Sequence, residues 1–196
     1  MLAWEAIAVV LAITYLVLAI RQNIWCWAAA AISTVIYLFI MFEAKLYMES
    51  ALQLFYLAMA AYGWYQWRQY GQSKEPLQVR TWPLTYHLFA IASVFILVFV
   101  SGHLLSEYSD AAMPHVDSFT TWGAVIATYM VARKILENWV YWFVIDAVSV
   151  GLYLNRGLFL TALLFVFYLV LIILGYRSWR ASMQEANMDE LGAAGA

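Results

Sequence analysis

The sequence predicts an all-α, polytopic membrane protein with seven transmembrane helices arranged as two three-helix repeats and a connector. Three observations carry that expectation. Hydrophobic residues make up 66% of the 196 residues and aromatic residues 18%, whereas only 11% are charged. A water-soluble domain has no means of hiding so much apolar surface. Apolar runs of about 20 residues, the length that crosses a hydrocarbon core of roughly 30 Å, occur seven times. The third observation is an internal repeat described below.

The first run, Ala3–Ile20, is followed by Arg21 and a second apolar stretch, so it reads as a span and not as a cleaved signal peptide. The second, Ile24–Phe42, carries Ala28–Ala31, a lure for a cleavage-site reading only. Ser50–Trp67 forms the third and Leu84–Gly102 the fourth, separated by a polar connection with Lys74 and Arg80. An acidic connection with Glu107, Asp110 and Asp117 leads to the fifth, Ser118–Ala132. The sixth, Trp139–Leu154, opens within ENWVYWFVID, and the seventh is Leu158–Tyr176. Residues 181–196 are polar or small and are expected to form a loosely ordered cytoplasmic tail.

With the amino terminus outside, seven crossings place Arg21, Arg68, Lys74, Arg80, Arg133, Lys134, Arg177 and Arg180 in the cytoplasm. Only Lys45 and Arg156 fall outside, a strong positive-inside bias. The carboxyl terminus is then cytoplasmic.

Shifting the chain by 112 residues superposes Leu46–Arg68 on Leu158–Arg180, pairing Leu52, Phe55, Tyr56, Leu57, Gly63, Trp67 and Arg68 with identical residues. One segment earlier the offset becomes 116, pairing Ser33 with Ser149 and Tyr37 with Tyr153. Residues 1–180 therefore read as one transmembrane domain: repeat 1 over about 3–68, a connector over about 84–102, and repeat 2 over about 118–180. Three crossings and one linking helix restore the direction of travel, so the repeats are parallel, as in transporters with a site between their halves.

Helical spacing puts Trp139, Trp142, Asp146, Ser149 and Tyr153 on one face of the sixth segment. A carboxylate turned to lipid costs several kcal/mol, so Asp146 is expected to face protein, water or a ligand. The third segment has a comparable stripe, Glu49, Gln53, Tyr56, Ala60, Gly63 and Trp67, whose polar end is expected to line the same cavity. Each residue also has a plainer reading. Trp139 lies near a segment end and suits an interfacial anchor. Asp146 and Gln53 suit interhelical hydrogen bonds, Ser33, Tyr37, Ser149 and Tyr153 suit packing, and Gly63 and Gly175 suit close helix approach.

Other chemistries are not supported. His87, His103 and His115 lack companions at metal-ligand spacing and lie near segment ends, where solvated or interfacial histidines are expected. No phosphate-cradling glycine loop and no basic patch is present, so neither ATP use nor nucleic-acid binding is expected. No cofactor is expected either. The single Cys26 excludes a disulfide within the chain, and the net charge of −2 points to no partner.

Two linked motifs carry a resemblance. WVYWFVID fits W-x-x-W-x-x-x-D in the sixth segment, preceded by Asn138, and QLFYLAMAAYGWYQW fits Q-x-x-Y…Y-G-W-x-x-W in the third. Over nearly its whole length the chain resembles the PnuC family of bacterial B-vitamin transporters, without the extra amino-terminal helix of longer members. The resemblance implies a homotrimeric inner-membrane facilitator for nicotinamide riboside, with relatives carrying thiamine or riboflavin. It implies substrate contacts at Trp139, Trp142, Asp146, Gln53 and Tyr56, with Asn138, Ser149 and Tyr153 as further candidates beside them. A separate cytoplasmic vitamin kinase would draw uptake inward. The chemistry is compatible, since a flat cationic ring is held well between aromatic faces. A small-sugar carrier and an integral membrane enzyme using Asp146 as acid or base are the alternatives, and no second reactive group for the latter stands out.

Overall fold

The computed structural model describes residues 2–43, 47–72, 77–108, 113–155 and 159–194. Lys45, Lys74, Asp110 and Arg156, which entered the orientation argument, lie outside the described residues. Seven α-helices occur among those described: α1 (Leu2–Ile20), α2 (Trp25–Glu43), α3 (Tyr47–Gln72), α4 (Leu84–Tyr108), α5 (Pro114–Ala132), α6 (Asn138–Asn155) and α7 (Phe159–Ala194). Each contains one of the apolar runs.

Differences fall at the ends. α5 begins earlier than expected because Pro114 can occupy a first helical turn, where its missing N–H costs nothing, and Asp117 complements the helix dipole there. α7 continues to Ala194, so the expected loosely ordered tail is corrected to helix over most of its length. Its Ala, Met, Gln, Glu and Leu residues are strong helix formers, and the spanning part of α7 already provides the costly nucleus.

Within these helices, Leu84–Tyr108 and Ala162–Asp189 are long and apolar enough to cross a membrane, and Ile7–Ile20 and Trp25–Phe39 are shorter apolar stretches. Leu88, Phe89, Phe95, Ile96 and Phe99 of α4 are all well exposed, a surface suited to lipid and untenable in water.

The chain forms two compact units. The first comprises Met1–Val79, Val131–Lys134 and Arg177–Ala196. In it α1 packs on α2 and α2 on α3. Ser33 of α2 donates to the Ala8 carbonyl of α1 at 3.1 Å, a close approach that the small Ala8, fully buried, permits. Trp27 of α2 lies flat against Gly63 of α3, where any Cβ would overlap the indole. Trp67 stands edge-on to Trp27, with ring centroids 5.5 Å apart.

Helix ends are tied in this unit. The Trp179 indole N–H donates to the Ala19 carbonyl at 3.0 Å and that of Trp67 to the Ala132 carbonyl at 3.2 Å. The Ala132 carbonyl lies at the C-terminus of α5, where intrahelical donors run out, and the Ala19 carbonyl takes the indole as a second donor. α1 and α5 end in the same way. Gln22 and Lys134 adopt left-handed conformations, with φ of 53° and 51°. Gln22 N donates to Ala19 O and Asn23 N to Leu18 O, while Lys134 N donates to Val131 O. That is the Schellman closure, here made by residues other than the usual glycine. The Lys134 ammonium donates to Gln22 Oε1 at 2.9 Å and sits 4.9 Å over the Trp67 ring. Burial lowers the pKa of Lys134, which lies between α5 and α6, to about 8.

The second unit comprises Arg80–Met130 and Ile135–Tyr176. A parallel bridge joins Arg80 to Ile135, and Leu136 N donates to Arg80 O at 2.8 Å. The Glu137 carboxylate accepts from Trp82 N at 3.3 Å and lies 3.9 Å from His87 Nε2, while His87 Nδ1 is 3.0 Å from the Tyr141 hydroxyl. His87 is therefore half-buried and partnered near the start of α4. Ile135 N donates to Met130 O, completing the turn after α5. Trp139 of α6 presses on Gly175 of α7, as Trp27 presses on Gly63 in the first unit.

Gln22 and Lys134, and Trp27 and Trp139, are each 112 residues apart. Ser33 donates across to α1, whereas Ser149 donates back to Ile145 O of its own helix at 2.9 Å.

Candidate functional site

The candidate residues of α6 are positioned by the turn that starts the helix. Ile135 O accepts both Asn138 N, at 3.1 Å, and the Asn138 side-chain amide, at 2.6 Å. Asn138 is fully buried, and its Oδ1 has no hydrogen-bond partner among the described residues. Trp139 follows at 2% exposure on Gly175, so it is not the interfacial anchor that its sequence position suggested. Trp142 is half-buried one turn on.

Asp146 comes next on the same face and is 6% exposed. Among the described residues no hydrogen bond or ion pair reaches its carboxylate, so the helix-to-helix bond of the plainer reading is not made. Ser149 is buried but spends its hydroxyl on Ile145 O. Tyr153 is half-buried with its ring centroid 5.1 Å from that of Phe165. Val140, Phe143, Val144 and Leu154 are exposed and occupy the opposite side, so α6 is amphipathic in the membrane sense: lipid-like outward, aromatic and polar inward.

In the first unit, Gln53 and Tyr56 lie half-buried on α3, with the Tyr56 ring 5.7 Å from Phe55. Among the described residues no hydrogen bond is made by the Gln53 side chain, which leaves an amide with both donor and acceptor capacity. No group of three or more His, Cys, Asp or Glu residues suited to a metal occurs among those described. The second unit thus offers on α6 indoles, an amide and a carboxylate, and the first unit offers on α3 an amide and a phenol.

Comparison with known proteins decides what kind of protein carries these residues. The family model described as "Nicotinamide mononucleotide transporter" matches residues 2–181. The chain belongs to that family. It is 27% identical over 216 residues to the nicotinamide riboside transporter PnuC of Escherichia coli, covering 97% of this chain and 90% of that one. It is 28% identical over 175 residues to the riboflavin/roseoflavin transporter RibM of Streptomyces davaonensis, covering 87% of this chain and 81% of the relative. The solved structure titled "Crystal structure of the Vitamin B3 transporter PnuC" shares the fold, with a TM-score of 0.73 at 22% identity, covering 93% of this chain and 82% of that one.

For this member of the transporter family, what sequence reading missed is the role of Trp27 and of the Gln22–Lys134 contact. A signal was present. Trp27 stands as far before Gly63 as Trp139 stands before Gly175, and Arg21 and Arg133 precede the two turns at the same offset.

Proposed function

We propose that the protein is a carrier mediating facilitated diffusion of a cationic B vitamin, nicotinamide riboside first, across the bacterial inner membrane. The observation that carries this reading is Asp146: a residue only 6% exposed whose carboxylate has no protein partner among the described residues, on a face begun by two tryptophans. Leaving a buried acceptor unmade is costly, so the position makes sense when a ligand supplies the missing donor or charge. Trp142 supplies a ring face for a flat cation, worth about 2 kcal/mol or more when desolvated, and Trp139, seated on Gly175, backs the same wall of the proposed site. Asn138, Gln53 and Tyr56 read amide or hydroxyl edges, and Ser149 and Tyr153 complete the proposed set of binding residues.

The reading extends to two parallel three-helix repeats joined by α4, a homotrimer, an outward amino terminus and a cytoplasmic carboxyl terminus. No chemistry is performed on the vitamin; a separate cytoplasmic kinase traps it. An impermeant thiol reagent should label a cysteine introduced at Asp110 from outside the cell and spare one at Lys74; the reverse pattern refutes the orientation.

Riboflavin is the second reading, favoured by the match to a riboflavin/roseoflavin transporter at 28% identity, against 27% for the nicotinamide riboside transporter of Escherichia coli. Titrating the purified protein with nicotinamide riboside, thiamine, riboflavin and pyridoxine separates the two. Saturable binding of nicotinamide riboside is expected; binding of riboflavin alone transfers the assignment, and binding of none refutes transport of these vitamins.

A further inference from the structure

Four stretches of the chain are tied together at one end of the first unit. Ser178 of α7 donates to Ile20 O of α1 at 3.2 Å, beside the bond from the Trp179 indole to Ala19 O. The Trp67 ring of α3 lies 6.3 Å from that of Trp179, and its N–H bonds Ala132 O at the end of α5. Lys134 closes the circle on Gln22, and Arg133 Nη1 donates to the Tyr62 hydroxyl at 3.3 Å. Residues of this knot are next in sequence to basic ones: Arg21 follows Ile20, Arg68 follows Trp67, and Arg177 and Arg180 flank Ser178 and Trp179. Of the ten Lys and Arg residues, Lys45, Lys74 and Arg156 lie outside the described residues, which leaves seven; six belong to this end of the first unit and only Arg80 to the second.

Two of the six are spent inward, Arg133 on Tyr62 and Lys134 on Gln22 and the Trp67 face. The other four, Arg21, Arg68, Arg177 and Arg180, are exposed, and among the described residues no hydrogen bond or ion pair reaches their side chains. Acids do not balance them. Glu5, Glu43 and Glu49 stand at the far ends of α1, α2 and α3, and on α7 the first acid is Glu185, five residues beyond Arg180. The helix dipole explains a cation just past the C-terminus of α1, as at Arg21, but not Arg68, Arg177 and Arg180, which lie inside α3 and α7. Aromatic residues adjoin the four charges. Tyr65, 56% exposed, precedes Arg68 by one turn on the same side of α3, and Trp25, 62% exposed, stands edge-on to Trp64 at 5.5 Å.

We propose that Arg21, Arg68, Arg177 and Arg180 form a docking surface for the phosphate headgroups of anionic phospholipids, with Trp25 and Tyr65 seated at the boundary between headgroup and acyl chain. Unpaired cations at one end of a membrane-spanning bundle face the layer in which lipid phosphates lie, and four of them on three helices offer more than one phosphate a guanidinium fork. The exposed indole and phenol favour a lipid over a free phosphate, since amphipathic rings suit that boundary and a soluble anion gains nothing from them. A lipid held there would brace α1, α3 and α7 against one another where Trp179 and Trp67 already join them. The surface is independent of which vitamin is carried.

The test is thermal unfolding of the purified full chain in a neutral detergent, titrated with phosphatidylglycerol, phosphatidylcholine or inorganic phosphate. Phosphatidylglycerol should raise the melting temperature saturably, and the other two should leave it unchanged. An equal rise with phosphatidylcholine overturns the charge-based reading, and an equal rise with inorganic phosphate overturns the lipid as occupant. Arg21→Gln combined with Arg177→Gln should raise the half-saturating phosphatidylglycerol concentration about tenfold or more, at roughly fivefold per cation lost. Replacing the same pair with Lys, which keeps the charge, should stay within about threefold of wild type. Arg80→Gln, in the second unit, should change nothing; a loss there as large as that of the pair reduces the effect to net charge and overturns the assignment. If the doubly substituted chain fails to fold, Arg68→Gln combined with Arg180→Gln carries the same contrast. A wild-type response in either folded glutamine pair overturns the proposal.

Discussion

Gly175→Ala tests whether Trp139 is as tightly seated as its geometry implies. The new Cβ would lie 2.5 Å from Trp139 Cη2, whereas carbon atoms rest about 3.5–4.0 Å apart. The indole would have to retreat by about 1 Å. At 2% exposure it has no open space to enter, so backbone or neighbouring side chains must move, and overpacking of this kind costs about 1–3 kcal/mol. Against that, replacing a helical glycine with alanine gains about 1 kcal/mol. With the indole unable to yield, the clash falls at the upper end of that range, and a net loss of up to about 2 kcal/mol should lower the melting temperature by several degrees in a protein of this size. Gly151 of α6 is the internal control, since an added Cβ there meets nothing within 4 Å. Gly151→Ala should be neutral or stabilising. Thermal unfolding of both variants in one detergent, followed by tryptophan fluorescence, reads the difference. Equal melting temperatures would refute the packing account, and a Trp139→Phe background that fails to reduce the penalty of Gly175→Ala would refute its assignment to the indole.

Asp146→Asn should weaken a cationic vitamin and spare a neutral one if the carboxylate complements charge; if it accepts a hydroxyl, Asn should be tolerated and Leu should not, as titration would read. Trp142→Ala should raise the Kd about tenfold with an unchanged melting temperature, and an unaltered Kd would reduce Trp142 to packing. Lys134 has its pKa lowered by burial from 10.5 to about 8, so the folded state holds fewer protons than the unfolded one between those values. Its burial penalty is present below pH 8 and is relieved as pH rises toward 10.5, so the stability difference between wild type and Lys134→Met should narrow over that window in thermal melts. Trp179→Phe leaves the Ala19 carbonyl without its indole donor and should cost about 1 kcal/mol, read by the same assay.

Apolar run length and charge placement decided the seven helices, because in a hydrocarbon core each backbone must satisfy itself within a helix and span a fixed thickness. The two motifs identified the family, and the spacing from Trp139 to Tyr153 placed one face of α6, since helical periodicity is local. Two other matters were not legible. Trp139 looked like an anchor because depth along the chain says nothing about which neighbour fills the space beside a ring; the cleft at Gly175 does. Ser149 returns its hydroxyl to Ile145 O, whereas no bond reaches the Asp146 carboxylate among the described residues. A sequence records that a polar group sits in an apolar run, but tertiary packing alone decides whether a carbonyl or an unfilled partner stands opposite it.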